Sequence, residues 1–453
     1  MISFRLSELA RRCAGQLRGP DLCVERVSTD SRECAGALFV PLRGERFDGH
    51  DFIADALGHG AVAVLTQRQL QSVPVPQLQV DDTLHALGCC GQLVRERCPA
   101  RLCSVTGSCG KTTVKEMTAA ICRRRGRTVC TQGNFNNDVG VPLTLLRLEA
   151  DTQYAVIEQG ASHLQDLERT CRFVASRLGL ITNAGLAHIE GFGSRRNVYR
   201  GKSELLEAVF AAPGGVGIVS ADSEYFDDWR RDYADQEAQG RLLSFGRSPQ
   251  ATVRADDLVQ QGAELSFTLS CGAQQARVRL QALGVHNAVN AAAAAALALQ
   301  LGLSMDEVRC GLEDWRAVEG RLSVVRSTPF VLIDDAYNAS YNAVMSAIDT
   351  LAEFPGYRVL VFADMQELGD EAAAAHAEVG RHAAESLDEV LCYGELAALS
   401  AREAGPRGRH FQKLADLIQY ARLELLAKHG HNLTILVKGS HAMGLRQVVE
   451  SLI

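Results

Sequence analysis

Leu102-Cys103-Ser104-Val105-Thr106-Gly107-Ser108-Cys109-Gly110-Lys111-Thr112-Thr113 carries the strongest signal in the chain. A short apolar run of strand type ends at a glycine turn, and a helical pattern over residues 114–122 follows. Gly107 and Gly110 let the backbone fold tightly, so that the N–H groups of Ser108, Cys109, Gly110 and Lys111 face one point. The start of the helix adds its positive dipole end there and Lys111 adds a full charge. Such a turn between strand and helix cradles a polyphosphate, and Thr112 has the hydroxyl expected to hold a magnesium ion. Thr106 and Thr113 flank the turn. The common phosphate loop has a glycine five residues before its second glycine. Val105 stands at that position, so this is a shortened variant, T-G-x-x-G-K-T. A glycine-rich turn with an exposed lysine is the plainer alternative; the flanking strand and helix favour binding of ATP or GTP.

Outward from the loop, strand-like runs alternate with amphipathic helical runs, the pattern of a mostly parallel sheet. Residues 102–106, 154–158 and 178–183 read as buried strands, and an alanine-rich helix runs from about Asn287 to Leu301. A further alternation begins near 315–321, with strands expected at 330–334, 358–363, 389–393 and 434–438. Before the loop, residues 37–41, 51–58 and 61–65 give short strand and helix patterns, and a helix over 83–98 joins that unit to the next. The expected fold class is α/β in three domains. These are a small N-terminal α/β domain at 1–82, a central mostly parallel ATPase domain at 83–312, and a C-terminal Rossmann-like domain at 313–453. A chain of 453 residues accommodates about three domains at roughly 150 residues each.

Other positions carry weaker signals. The run Tyr154-Ala155-Val156-Ile157-Glu158 ends in a carboxylate where α/β sheets place ligands, although a strand-end glutamate is as often a solvated turn residue. His188 lies in a loop beyond the next strand and is either a metal ligand or an ordinary surface histidine. Lys202 opens a helix and, by spacing alone, has no chemistry. Asn134, Asn136, Asn137 and Asp138 crowd a loop rich in donors and acceptors, which turn formation alone also explains. Asn287 and Asn290 could simply open the alanine helix.

Hydrophobic residues make up 47% and charged residues 22%, enough apolar material for packed cores and against global disorder. The longest apolar run, residues 291–299, falls short of the roughly 20 that a membrane helix needs. The first residues lack the layout of a signal peptide. A net charge of −7 without a basic block argues against nucleic acid as a partner. The 14 cysteines form no C-x-x-C pair and read as reduced, mostly core-filling thiols of a cytoplasmic protein.

Taken together and in order, these residues resemble the Mur ligases, the ATP-dependent amide-forming enzymes of peptidoglycan synthesis. The resemblance rests on Thr-Gly-x-x-Gly-Lys-Thr-Thr, the strand-end Glu158, Asn183-Ala-x-x-Ala-His188 and His286-Asn287-x-x-Asn290-Ala291. It extends to Val27-Ser28-Thr29-Asp30-Ser31-Arg32, to the stretch from Gly36 to His50, and to Asp334-Asp335-Ala336-Tyr337-Asn338-Ala339. It is closest to the branch that joins D-alanyl-D-alanine to UDP-N-acetylmuramoyl-tripeptide; the Asp-Asn-Pro-Arg motif of the neighbouring diaminopimelate-adding branch is absent.

The resemblance implies roles residue by residue. Lys111 and the loop amides would hold the phosphates of ATP, with Thr112 and Glu158 on one magnesium ion. His188 would help to hold a second, and Lys202 would be carried as a carbamate that bridges metal. Asn287 and Asn290 would lie at the adenine, and Arg321 and Asp335 would reach the nucleotide from the C-terminal domain. Ser28, Thr29, Asp30, Ser31, Arg32, Arg46, Asp48 and His50 would contact the UDP-sugar, as would Asn134, Asn136, Asn137 and Asp138. Tyr337 and Asn338 would serve the substrate side of the C-terminal domain. Ser340, Tyr341, Ala363 and His441 depart from the family pattern in the domain that handles the incoming amine. The implied protein is a cytoplasmic monomer with small-molecule substrates. Two other readings compete: a folylpolyglutamate-synthase-like ligase, which lacks the N-terminal unit, and a non-catalytic nucleotide-binding module.

Overall fold

The structure is a computed structural model that describes every residue except 45, 46, 72 and 327. Its centre is a nine-stranded sheet in the order Gln274–Gln281, Glu264–Cys271, Val253–Gln261, Leu242–Gly246, Val216–Ser220, Leu178–Ile181, Arg101–Thr106, Tyr154–Glu158 and Thr128–Cys130. The first three strands form an antiparallel meander and the others pair in parallel. Both faces of the parallel part are covered, which is why its strands read as unbroken apolar runs. Cys103, Val105, Tyr154 and Val156 enter the core beneath the alanine helix. Leu102, Ala155 and Ile157 enter the opposite core, which continues through the helix Thr83–Arg97 to Leu38 and Leu65 of the N-terminal sheet.

The alanine helix spans His286–Gln300 and buries Ala291 through Ala296 and Ala298, small side chains that bring its backbone close to the sheet and to the helix Lys111–Arg123. From the strand Arg101–Thr106, successive connections lead first to Thr128–Cys130 and Tyr154–Glu158 on one side, then to Leu178–Ile181 on the other. Its C-terminal end is therefore a topological switch point, where open α/β sheets bind ligands.

The N-terminal sheet has the order Gln16–Arg18, Gln77–Gln79, Ala63–Thr66, Leu38–Phe39, Val27–Ser28. The C-terminal sheet has the order Ser323–Arg326, Val331–Asp335, Leu433–Lys438, Tyr357–Ala363, Glu389–Tyr393, Gly408–Phe411, all parallel except its first pair. Helices cover both of its faces through separate cores around Phe362 and Ile435. The fold is thus α/β throughout.

Two differences from the sequence reading have physical causes. The helix after the phosphate loop begins at Lys111, three residues before the expected start, because Gly110 at φ +80° caps it and its first turn belongs to the loop. The antiparallel meander was not expected. Leu265, Phe267 and Leu269 point into the core against Leu280, Val278 and Ala276, and polar residues line the other face. Among the described residues no helix is long and apolar enough to cross a membrane.

Candidate active site at the phosphate loop

The turn Thr106 to Thr113 stands at the mouth of a cleft of about 1430 Å³ between the central and C-terminal sheets. It is held from the neighbouring strand end. Asn183 accepts from the Cys109 N–H at 3.0 Å and donates to the Cys109 carbonyl at 3.2 Å. Thr182 donates to that same carbonyl at 2.6 Å, and the Ser108 N–H bonds the Asn183 carbonyl at 3.0 Å. Gly107 is required here: its φ is +142°, and a Cβ would lie 1.9 Å from Thr182 Oγ1. Lys111 lies over its own loop, donating to the carbonyls of Gly107 at 2.7 Å and Ser108 at 3.2 Å. Burial pulls its pKa down, against the pull of Glu158.

Glu158 is buried at the end of its strand. Its Oε1 accepts from Asn136 Nδ2 at 2.8 Å and lies 3.4 Å from Thr112 Oγ1. Its Oε2 is buried with no hydrogen-bond partner. A carboxylate oxygen left open beside a hydroxyl suits a hard divalent cation completed by phosphate oxygens and water. Thr112 and Glu158 therefore fit a magnesium ion. Sequence reasoning missed Lys115, which is fully buried and donates to the Thr131 carbonyl at 2.6 Å. Its Nζ also lies 2.8 Å from Glu116 and 3.9 Å from Glu158 Oε2. Its position one turn beyond Lys111, on the buried face of the same helix, was the available signal.

Lys202 sits on the helix Arg195–Ala211, fully buried. Its amine donates to the Ala161 carbonyl at 2.8 Å and lies 5.2 Å from the centre of the Phe192 ring. No carboxylate pairs with it among the described residues. Burial, with Lys111 nearby, pushes its pKa well below the usual lysine value. A neutral amine is the form that adds to carbon dioxide, so Lys202 fits a carbamate. His188 Nδ1 lies 3.4 Å from Ser162 Oγ and contacts the Glu367 carboxylate. No group of three His, Cys, Asp or Glu able to hold a metal occurs among the described residues. A second cation would therefore need the carbamate oxygens besides His188.

The C-terminal unit closes over this centre. Arg321 donates to Thr112 Oγ1 at 3.0 Å, its guanidinium 4.3 Å from the centre of the Tyr337 ring. Asp335 accepts from Lys438 Nζ at 2.6 Å and from the Leu322 N–H at 3.1 Å. Burial raises its pKa against the pull of Lys438. Lys438, another residue missed from sequence, also bonds the Asn338 carbonyl at 3.1 Å; its place at a strand C-terminus was the clue. Tyr337, Asn338 and Ser340 line the cleft, and His441 lies across from Tyr337 with ring centres 5.9 Å apart. At the far end, Asn290 donates to Asn287 at 3.1 Å, and its Oδ1 stands 2.8 Å from where a Gly110 Cβ would be. Asn134, Asn136, Asn137 and Asp138 also line the cleft.

The remaining expected residues that the structure describes lie outside the cleft lining. Ser28, Thr29, Asp30, Ser31 and Arg32 form a turn of the N-terminal unit in which Asp30 and Arg32 pair at 2.6 Å, which holds the Asp30 carboxyl down to about 2. His50 is buried and spends both ring nitrogens internally: Nδ1 on Asp48 at 2.6 Å, and Nε2 accepting from the Gln67 N–H at 3.1 Å. The His50 N–H and ring hold the Asp48 carboxyl at about 2. Arg46 lies outside the described residues.

Comparison with known proteins agrees with this geometry. Family models match as Mur ligase family, catalytic domain, over residues 24–93, Mur ligase middle domain over 105–298, and Mur ligase, glutamate ligase domain, over 320–441. UDP-N-acetylmuramoyl-tripeptide–D-alanyl-D-alanine ligase of Escherichia coli (strain K12) is 41% identical, covering 100% of this chain and 99% of that protein. A crystal structure of MurF from Acinetobacter baumannii superposes with a TM-score of 0.92 at 33% identity, over 100% of this chain and 99% of the other. MurF ligase from Thermotoga maritima in complex with ADP gives 0.82 at 26% identity, over 94% and 96%. With a phosphate loop, an open strand-end carboxylate and a closing C-terminal sheet matched along its whole length, the chain belongs to the Mur ligase family.

Proposed function

We propose that this chain is an ATP-dependent, ADP-forming ligase that joins D-alanyl-D-alanine to UDP-N-acetylmuramoyl-tripeptide, a cytoplasmic step in building peptidoglycan precursors. The full-length likeness to relatives bearing that name carries the reading. The convergence of the phosphate loop, Glu158 and Arg321 on one cleft supports it.

The tripeptide carboxylate oxygen attacks the γ-phosphorus of ATP, and ADP leaves. The dipeptide nitrogen then attacks the acyl carbon of the acyl phosphate, and inorganic phosphate leaves as the amide forms. Lys111 and the loop N–H groups other than those of Ser108 and Cys109, which are bonded to Asn183, would hold the phosphates, and Arg321 sets positive charge beside the loop from the other side. Fixed charge of this kind is the main protein contribution to phosphoryl transfer. Two magnesium ions would offset the repulsion between carboxylate and triphosphate. Thr112 and Glu158 would hold one; His188 and a carbamate on Lys202 would hold the other. The unit 1–82 would take the UDP-sugar through Ser28, Thr29, Asp30, Ser31, Arg32, Arg46 and Asp48. The unit 83–312 would take ATP, with Asn287 and Asn290 at the adenine and the Asn134 to Asp138 loop facing the sugar nucleotide. The unit 313–453 would close with the amine near Tyr337 and Asn338, excluding water from a hydrolysable intermediate. The protein would act as a monomer.

Purified protein should release phosphate only when ATP, the UDP-muramoyl-tripeptide and D-alanyl-D-alanine are all present. Lys111→Ala should abolish that release, and a small carboxylate should restore part of the rate to Lys202→Ala. Equal phosphate release without the dipeptide rejects the reading.

A further inference from the structure

Two residues outside glycine adopt left-handed backbone on opposite sides of the cleft and meet there: His188 at φ +56° and Glu367 at φ +63°. Strain held at two touching positions of different units points to function rather than to chain connection. Glu367 lies on the segment after the strand Tyr357–Ala363, and that segment is anchored from behind. The Met365 N–H bonds His376 Nε2 at 3.0 Å, and the Gln366 N–H bonds Ser440 Oγ at 3.1 Å. In front it docks on the central unit: the Glu190 N–H bonds the Glu367 carbonyl at 3.3 Å, and Arg195 pairs with Glu371 at 2.7 Å. Between these points the Glu367 carboxylate meets His188 Nδ1. A ring that donates through Nδ1 carries its lone pair on Nε2, and a carboxylate behind a histidine fixes both tautomer and ring orientation.

We propose that Glu367 is a positioning residue, supplied by the C-terminal unit, that fixes His188 with its Nε2 lone pair available to the reacting centre only while that unit is docked. The proposal rests on the ligase reading for the task given to His188. It assigns Glu367 no contact with substrate. It makes closure of the C-terminal unit the step that completes the central one, because neither the loop that bears His188 nor the short helix Ile189–Phe192 after it supplies a carboxylate to that nitrogen among the described residues.

The test uses full-length protein labelled with ¹⁵N-histidine, the His188 ring signals being assigned by their loss in His188→Gln. In the unsubstituted protein His188 should show a protonated Nδ1 and an unprotonated Nε2. Glu367→Ala should collapse this to a tautomer mixture, and Glu367→Asp should restore part of it. Glu371→Ala breaks the neighbouring clasp and should leave the ring signals as they were. In turnover, Glu367→Ala should lower kcat about ten- to hundredfold, with KM for ATP changed less than twofold. Unaltered ring signals in Glu367→Ala overturn the proposal, as does an equal fall in kcat in Glu371→Ala, which would make the contact a docking point only. The ring signals need no turnover, so failure to use D-alanyl-D-alanine would reject the substrate reading and leave this test intact.

Discussion

Replacing Lys202 by methionine should abolish turnover and yet make the protein harder to unfold. The Lys202 amine is fully buried, makes one hydrogen bond, to the Ala161 carbonyl at 2.8 Å, and has no carboxylate partner among the described residues. Burial holds its pKa well below the 10.5 of an exposed lysine. Where the folded amine is neutral and the unfolded one is charged, the unfolded state binds the extra proton and is favoured. The cost is about 1.4 kcal/mol for each pH unit between the folded and the unfolded pKa. Methionine has nearly the same length and no charge; the lost hydrogen bond takes back about 1 kcal/mol. Lys202→Met should therefore be the more stable form at pH 8, because it removes the cost of neutralising a buried amine and loses only one hydrogen bond.

The sign fixes the pH course. A depressed lysine pKa means that the unsubstituted protein gains stability as pH rises toward 10.5, whereas the methionine variant lacks that slope. The advantage of the variant should thus shrink by about 1.4 kcal/mol per unit of rising pH. Urea unfolding in buffer stripped of carbon dioxide measures it, followed by the fluorescence of Trp229, which is buried in the same core as Ala161 and Phe192. Adding bicarbonate should stabilise only the lysine form. A stability difference that stays constant from pH 8 to 9, or a variant that unfolds more easily at pH 8, refutes the reasoning.

Gly107→Ala would put a methyl 1.9 Å from Thr182 Oγ1 at a φ of +142°; it should cost about 1–3 kcal/mol and weaken MgATP binding more than tenfold in a calorimetric titration. Normal binding would count against the loop geometry. Arg321→Ala removes the bond to Thr112; a charged hydrogen bond of about 1.5–3 kcal/mol implies a loss of roughly ten- to hundredfold in kcat/KM for ATP, and an unchanged value would detach Arg321 from the nucleotide. His376 is buried, donates from Nδ1 to the Ala372 carbonyl at 2.7 Å and accepts from the Met365 N–H. Burial lowers its pKa below that of the unfolded chain, so its neutral form contributes full stability above about pH 6.5 and loses it as pH falls from there. Urea midpoints should decline below that pH, and His376→Gln should decline less; parallel curves would remove His376 from the titration.

The sequence yields what repeats locally. Buried parallel strands are continuous apolar runs, so 154–158 and 389–393 were read to the residue. The phosphate loop was legible because glycine, lysine and threonine sit at fixed spacing between a strand and a helix. The meander carries a weaker mark: Leu265, Phe267 and Leu269 alternate with polar residues between glycine turns, unlike the unbroken apolar runs of the parallel strands. Burial and long-range approach leave no local trace. Lys115 and Lys202 look like helix-surface lysines until their neighbours close over them. Glu367 acquires its partner only from a segment far away in the chain. Nor does the sequence show that Asp48 and the Gln67 N–H hold the His50 ring, a residue to which the family resemblance assigns a ligand contact.

Lys111 rests on the carbonyls of its own turn. On the ligase reading an arriving triphosphate would have to win the ammonium away from two existing acceptors, and the net gain would be the difference between the two sets of bonds. After transfer, a diphosphate offers less in that exchange. On the ligase reading the ammonium would swing back to Gly107 and Ser108 as the product departs, so the loop proposed to grip the nucleotide would also help to let it go.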